Sequence, residues 1–229
     1  MKILSIDTST EACSAALSID DIIQVKFEIA PQQHSRLILE QCDQLLADAE
    51  LKPTQLDAVA FGCGPGSFTG LRIAAGVTQG IAFGADLPII SISTLAAQAQ
   101  KVALQHPECL YLPAIDARMK EIYWGFYLLN NGVVELQSTE QVSSANHVKT
   151  NLSKPIVGIG SGWRVYQETL EISLNSLEIT KQYPENTPSA EEIAVLAADK
   201  LQRGEVHSPE EAIPVYLRNN VAKKSTKSN

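Results

Sequence analysis

The sequence has few of the features that mark a secreted or membrane-bound protein. Its four cysteines are scattered as Cys13, Cys42, Cys63 and Cys109, without a C-x-x-C pair, which indicates free thiols in a reducing compartment. Gly, Ser, Gln or Asp interrupts every apolar run well before 18 residues, so we expect no membrane span. The first residues, 1–7, predict a strand and not a signal peptide. We therefore expect a cytoplasmic protein.

Positive charge is also in short supply. The 18 Lys and Arg residues against 26 Asp and Glu residues leave a net charge of −8. A self-sufficient nucleic-acid binder normally has a basic face, so any RNA contact would need a partner protein. The basic stretch Lys223–Lys227 lies at a terminus, where lysines are more often solvated than bound. The length of 229 residues and 45% apolar composition suit one large domain or two small ones.

Patterns for metal binding and nucleophilic catalysis are missing too. The histidines are His34, His106, His147 and His207, and no two lie within four residues of each other. A helical pair of imidazoles is therefore unavailable, and we expect no metal site, with His34 as a surface or capping residue. Ser67 is not in a G-x-S-x-G turn, so a peptidase is the least favoured interpretation, and a helix N-cap explains this serine better.

A glycine-rich turn at Gly62–Gly70 is the most informative stretch that the sequence does contain. It joins a strand predicted at 56–61 to a helix predicted from Ser67 to Gly84. Free N–H groups and the dipole at such a helix start can cradle a phosphate. Glycine is equally needed wherever a backbone turns with positive φ or approaches another backbone closely. The turn matches neither G-x-x-x-x-G-K-[ST] nor G-x-G-x-x-G, which favours the structural alternative and leaves the other open.

The predicted elements follow the order β-β-β-α-β-α-β-α, which then repeats. In the first half, strands are predicted at 3–7, 12–19, 22–29, 56–61 and 89–92, and helices at 35–50, 67–84 and 93–104, with Ser35 as an N-cap. In the second half, strands are predicted at 111–116, 122–129, 133–138, 155–159 and 176–179, and helices at 144–152, 163–171 and 189–202. Asp7 and Asp116 end the first strand of each half, and a G-x-G-x-G turn follows each fourth strand, so a tandem duplication is the simplest account.

This pattern predicts an α/β fold with duplicated halves similar to the actin and Hsp70 ATPase superfamily, which is ribonuclease H-like. Each half would be a mixed β-sheet with flanking helices. We expect an N-terminal half at 1–105, which carries the partner-binding helices, and a smaller, degenerate half at 106–229. The last helix of the second half could pack back on the first half.

In that superfamily a nucleotide lies in the cleft between the halves, where acidic residues organise Mg²⁺ and water. Asp7, Thr8 and Ser9 are the candidate nucleotide-binding residues. However, Asp7 lacks the glycine that the superfamily has two residues later, and bulky residues at 117–119 follow Asp116. A carboxylate at a strand end also commonly accepts backbone N–H bonds from the next turn. Residual nucleotide binding stays open, and efficient independent turnover is not expected.

Two ridges of small residues run along the helix predicted from Ser67 to Gly84. One ridge is Gly76, Gly80 and Gly84, and the other is Gly66, Gly70, Ala74 and Thr78. Each interior glycine costs up to ~1 kcal/mol of helix stability relative to alanine, and close approach of another backbone would offset that cost. The preceding helix has Leu37 and Leu39 off its apolar stripe, which a partner surface would explain.

Four motifs, in this order, resemble the bacterial TsaB (YeaZ) family and span nearly the whole chain. They are Ile6–Ser9, Gly64–Arg72, Asp116–Tyr123 and Pro214–Arg218. The resemblance implies a cytoplasmic, non-catalytic scaffold, a degenerate paralogue of TsaD. Such a subunit binds and activates TsaD for threonylcarbamoyl transfer to the adenosine next to the anticodon of tRNAs reading codons that begin with A. It also implies recruitment of the ATPase TsaE by the pair, a homodimer when alone, and tRNA contact only through the complex.

The resemblance places the TsaD contact on the two helices just described. The residues assigned to it are Leu37, Gln41, Thr69, Ile73, Gly76, Val77 and Gly80. We expect no intrinsic cofactor, with ATP or ADP able to bind at the partner interface. Arg72 and Arg118 are candidate partner or RNA contacts, or solvated ion-pair partners. The alternative function is an autonomous small ATPase or kinase of the actin-like superfamily.

Overall fold

A computed structural model describes residues 1–20 and 22–218 and shows two similar α/β halves. The first half contains β1 (Lys2–Asp7), β2 (Ala12–Ile19), β3 (Ile22–Ile29), α1 (His34–Asp48), β4 (Ala58–Gly64), α2 (Phe68–Ala85), β5 (Ile89–Ser93) and α3 (Thr94–Ala103). The second half contains β6 (Leu110–Asp116), β7 (Ile122–Trp124), β8 (Tyr127–Asn130), β9 (Val133–Leu136), β10 (Gln141–Ser143), β11 (Ile156–Ile159), α4 (Ser161–Ser173), β12 (Ile179–Tyr183) and α5 (Ala190–Gln202). Short 3₁₀ turns lie at Pro53–Gln55, Ala145–His147 and Pro209–Glu211.

The two sheets have the same strand order and directions. The first sheet runs β3-β2-β1-β4-β5, and the second runs β10-β7-β6-β11-β12 with the β8–β9 hairpin attached to β6. In each sheet the central strand is antiparallel to the strand that follows it in sequence and parallel to its other neighbour. The fold class predicted from the sequence, duplicated halves with mixed sheets, is therefore confirmed.

The last helix of each half packs against the sheet of the other half. α3 contacts β6, β8 and β9, and α5 contacts β1, β2, β4 and β5. Hydrogen bonds fix the start of α5 on the first sheet, because the Ala190 N–H donates to Ser14 Oγ at 2.9 Å and Ser5 Oγ donates to the Ala190 carbonyl at 2.6 Å. Both helices thus share one buried core between the sheets, while α1 and α2 cover the outer face of the first sheet.

The start of α1 differs from the prediction. Gln33 and not Ser35 occupies the N-cap position, and its side chain makes no capping bond. His34, predicted as a surface or capping residue, is buried, with Nε2 3.2 Å from the Ala12 carbonyl oxygen. His34 is the first residue on the inward side of the helix. Burial of its ring and its hydrogen bond to β2 stabilise this start of the helix more than a cap by Ser35 would stabilise a later start.

The second half departs from the prediction in four places. Residues 144–152 form only a 3₁₀ turn at Ala145–His147, because Asn, Thr and Val have low helix propensity and few of these side chains are buried. The strand predicted at 122–129 splits into β7 and β8, where the register sets Pro113 opposite Gly125. Proline cannot donate to the ladder and glycine weakens a strand interior. The strand expected at 176–179 lies later, as β12, and β10 was not predicted.

All four cysteines are buried free thiols. Of the helices in the described ranges, none is long and apolar enough to cross a membrane.

Candidate functional site

The loop between β1 and β2 packs directly against the glycine turn. Asp7 is fully buried, and its Oδ1 accepts hydrogen bonds from the N–H and Oγ of Ser9, each at 2.8 Å. Thr8 Oγ1 donates to the Gly70 carbonyl at 2.7 Å, and the Ser67 N–H donates to the Ser9 carbonyl at 2.7 Å. The three candidate nucleotide-binding side chains, of Asp7, Thr8 and Ser9, are thus enclosed. Asp7 and Ser9 are hydrogen-bonded to each other, and Thr8 is hydrogen-bonded to the glycine turn.

The glycines of this turn make room for that loop. A Cβ on Gly62 would lie 2.3 Å from the carboxylate of Asp7. A Cβ on Gly66 would lie 2.5 Å from the carbonyl oxygen of Ser9, and one on Gly70 would lie 1.9 Å from that of Thr8. These distances are far below van der Waals contact, so glycine is required by the close approach of the chain to itself. The structural alternative for the turn therefore accounts for its glycines.

Burial changes the acidity of two carboxyl groups beside this loop. It raises the pKa of Asp7 to about 6, partly offset by the hydrogen bonds from Ser9. On α5, burial raises the pKa of Glu192 to about 7, partly offset by the charge of Lys101. Glu192 Oε2 has no hydrogen-bond partner within the described residues. Both carboxyls therefore hold a proton more readily than exposed ones do.

The matching position in the second half is Asp116, at the end of β6. Its Oδ1 accepts the Arg118 N–H at 2.9 Å, and its own N–H donates to Ser161 Oγ at 3.0 Å. In both halves, then, the aspartate accepts a backbone N–H from two residues further on, which is the local role that such residues commonly have in turns.

The β6–β7 hairpin that follows is strained. Arg118, Met119 and Lys120 have φ values of 60°, 54° and 64°, in the left-handed region that favours glycine. Each such residue costs on the order of 1 kcal/mol and persists only where surrounding contacts fix it. All three side chains are exposed.

Residues 207–218 form a segment, here called the strap, that returns across the first half. It begins as an antiparallel bridge between His207 and Ile89 and runs beside α2, where Gln79 Nε2 donates to the Ala212 carbonyl at 3.1 Å. The Val215 N–H then donates to the carbonyl of Cys63 at 2.7 Å. Next to it, Gly64 has φ 119°, and a Cβ there would lie 2.7 Å from the Val215 carbonyl oxygen. The strap is thus built onto the glycine turn.

The end of the strap connects the two halves. The Tyr216 ring lies 5.4 Å from that of Phe68, and its hydroxyl accepts a 3.2 Å hydrogen bond from Arg72, whose guanidinium stacks 3.8 Å above Phe68. Arg218 donates to a carbonyl of the β6–β7 hairpin at 3.0 Å and forms an ion pair with Glu121. The sequence showed only its last part, Pro214–Arg218, as a family motif, because the contacts that attach the strap to the two halves are long-range.

The outer surface of α2 is formed by one of the two small-residue ridges. That ridge is Gly76, Gly80 and Gly84, and no atom of the described residues would lie within 4 Å of a Cβ added to any of them. Phe83, beside it, is 74% exposed. The other ridge, which includes Gly70, Ala74 and Thr78, is buried. The predicted N-cap is confirmed, since Ser67 Oγ accepts the Gly70 N–H at 3.3 Å.

The residues assigned to a partner contact are divided between surface and interior. Thr69, Gly76 and Gly80 are exposed, and Ile73 and Val77 are partly buried against the core. Leu37 and Gln41, by contrast, are only 8% and 7% exposed. They belong to the inward stripe of α1, and Gln41 Nε2 donates to the Cys13 carbonyl at 3.5 Å. Their assignment to a partner surface is therefore corrected, and Leu39, 53% exposed, lies on the outer side instead.

Across residues 1–20 and 22–218, no group of three or more His, Cys, Asp or Glu side chains is arranged to hold a metal ion.

Known proteins resemble the chain over nearly its whole length. Residues 25–226 match the family described as "TsaD: tRNA N6-adenosine threonylcarbamoyltransferase". The "tRNA threonylcarbamoyladenosine biosynthesis protein TsaB" of Escherichia coli (strain K12) is 39% identical, with 97% of this chain and 96% of that protein covered. The protein of the same name from Haemophilus influenzae is 37% identical, with 96% and 95% covered. The solved structure "YeaZ from Pseudomonas aeruginosa" superposes with a TM-score of 0.88 at 37% identity, covering 94% of this chain and 99% of that one.

The raised pKa of Asp7 predicts a specific dependence of stability on pH. Its ordinary value is 3.8 and its folded value about 6, so the folded state binds the proton more tightly and loses stability as pH rises from about 4 through 6. Asp7→Asn keeps an acceptor for Ser9 and removes the charge. At pH 8 we expect its free energy of unfolding to exceed that of the wild type by on the order of 1–3 kcal/mol, with the difference vanishing near pH 4. Urea denaturation at several pH values measures this, and parallel pH profiles would contradict it.

Helix α2 provides a matched pair of glycine substitutions that are expected to change the free energy of unfolding in opposite directions. Gly70→Ala forces a Cβ into a backbone carbonyl and should lower the free energy of unfolding by roughly 2–3 kcal/mol. Gly76→Ala meets only open space and should raise it by up to about 1 kcal/mol through helix propensity. Denaturant midpoints at constant m-value measure both changes. Destabilisation by Gly76→Ala would show that this ridge is packed within the chain itself.

Proposed function

The chain belongs to the TsaB family of tRNA threonylcarbamoyladenosine biosynthesis proteins, and we propose that it is a non-catalytic subunit that binds and activates TsaD. TsaD would transfer threonylcarbamoyl to the adenosine next to the anticodon of tRNAs reading codons that begin with A. One observation carries the proposal: the outward glycine ridge of α2.

The glycine ridge is unfavourable for the isolated chain. Each of Gly76, Gly80 and Gly84 costs up to about 1 kcal/mol of helix stability, and no atom of the described chain packs over them. Close packing by another helix would offset that cost, because a ridge without side chains lets two backbones approach. Exposed Phe83 and Leu39 add apolar surface to this face of α1 and α2. The face therefore suits a helical partner.

The partner proposed for this face has the same fold. Residues 25–226 match the TsaD family, so TsaD carries counterparts of α1 and α2. Two like faces can pack around a local two-fold axis, as in symmetric dimers. A homodimer through the same face is then expected when TsaD is absent, and it would compete with the TsaD pair.

The enclosed loop at Asp7 supports a subunit without its own turnover. A carboxylate that organises Mg²⁺ must reach the ion, whereas Asp7 is fully buried and engaged by Ser9. This weighs against the alternative of an autonomous ATPase or kinase. We further propose that ATP or ADP, where present, binds at the partner interface, and that TsaE and tRNA join through the TsaD pair. The buried free cysteines fit a cytoplasmic location.

Reconstitution of the tRNA modification tests this function directly. We expect modified adenosine when TsaD, TsaE, the threonylcarbamoyl-adenylate supply and unmodified tRNA are combined with the chain, and only background without it. Nucleoside analysis of the digested tRNA by mass spectrometry gives the readout. The purified chain alone should show negligible ATP hydrolysis. Full modification in its absence, or efficient turnover by the chain alone, would rule the proposal out.

A bulky residue on the glycine ridge tests the proposed interface. Gly80→Leu should weaken binding to TsaD at least about tenfold, because the side chain blocks close helix approach. The variant should stay folded, since nothing in residues 1–20 and 22–218 lies within 4 Å of a Cβ at this position. Glu168→Leu places the same side chain on the exposed surface of α4 and is the matched control, expected to bind as the wild type does. Affinity is measured by isothermal titration calorimetry, and equal binding by both variants would place the interface elsewhere.

A further inference from the structure

A group of basic residues lies around the end of the strap in this acidic chain. The chain has 18 basic residues and a net charge of −8. Four basic residues lie at the end of the strap or beside it. Arg72 hydrogen-bonds Tyr216, and Arg118 and Lys120 belong to the hairpin that Arg218 contacts, while the charge of Arg218 is paired with that of Glu121. A local basic cluster on an acidic protein indicates a polyanionic partner.

The strained hairpin holds two of these cations outward. Arg118 and Lys120 flank Met119, which is 67% exposed. Contacts from Asp116 and Arg218 keep the hairpin in its left-handed conformation. A backbone that is held in an unfavourable conformation while it projects side chains into solvent is typical of a functional surface.

An aromatic platform lies next to the hairpin. Phe68 is 52% exposed and Tyr216 is 40% exposed, and Arg72 stacks on the first and hydrogen-bonds the second. Tyr216 and Arg218 are only two residues apart in the strap, so the platform and the hairpin are held in one arrangement. Aromatic rings beside guanidinium groups are the surfaces on which unpaired bases stack.

We propose that this rim, Phe68, Arg72, Arg118, Lys120 and Tyr216, is an RNA contact. Arg118 and Lys120 would bind backbone phosphates, and an unpaired base would stack on the platform. This rests on the proposed function, because tRNA bound to the TsaD complex is the RNA meant. RNA is the chosen occupant because Arg118 and Lys120 project into solvent, where such side chains bind phosphates directly, and because unpaired bases stack on exposed aromatic rings. The overall negative charge explains why the contact needs the complex to reach useful affinity.

Charge removal at the hairpin tests the contact. The double variant Arg118→Gln/Lys120→Gln is compared with Arg164→Gln/Lys181→Gln, which removes two exposed charges from α4 and β12 of the same half. Unmodified, fluorescently labelled tRNA is titrated with the chain–TsaD complex at several salt concentrations, and anisotropy is recorded. We expect the hairpin variant to weaken binding about 3- to 10-fold and to reduce the salt slope by about 1.5. The control should change affinity less than twofold, and Arg118→Lys/Lys120→Arg should bind as the wild type does.

Equal tRNA affinity and salt slope in the hairpin and control variants would overturn the proposal. So would unchanged tRNA binding combined with weaker TsaD binding, which would make the rim a protein contact. Co-elution with TsaD is measured on the same samples. If the chain and TsaD form no complex, the proposed function fails. The RNA contact is then tested by titrating the labelled tRNA with the isolated chain at low salt. There we expect weaker binding with the same ratio between variants.

Discussion

Four close contacts at the glycine turn determine how the rest of this molecule is arranged. At Gly62 the carboxylate of Asp7 lies where a side chain would otherwise be, at Gly66 and Gly70 the backbone of the loop after β1 does, and at Gly64 the strap does. Each contact is too short to tolerate even a methyl group. Because the loop is pinned there, Asp7 is sealed beneath α5. Because the strap is pinned there, its last residues reach the second half.

The same packing encloses Asp7 and the two residues that follow it. Thr8 Oγ1 and the Ser67 N–H both make their hydrogen bonds within the chain. Buried polar groups need partners, and here the fold itself provides them. The two surfaces proposed to bind other molecules lie elsewhere, on the outer face of α2 and around the end of the strap.

Local patterns predicted much of this fold. The bounds of β2 and β3 were predicted to the residue, and Ser67 was identified as a cap, since each depends on neighbours in sequence. The start of α1 and the inward orientation of Leu37 could not be derived in the same way, because His34 and Leu37 are fixed by contacts with the sheet. The strap had no periodic signal at all. Val215 binds Cys63 across about 150 residues of sequence, and only the folded chain brings them together.

The exposed glycines of α2 also have a consequence for protein engineering. A screen that selects variants by melting temperature would favour alanine at Gly76, Gly80 and Gly84, because in the described part of the chain no atom lies within 4 Å of a Cβ added there. Such a screen would enrich stable, folded variants that no longer bind the proposed partner. Tolerance to substitution, measured on the isolated chain, would therefore be highest where the constraint imposed by the proposed partner is greatest.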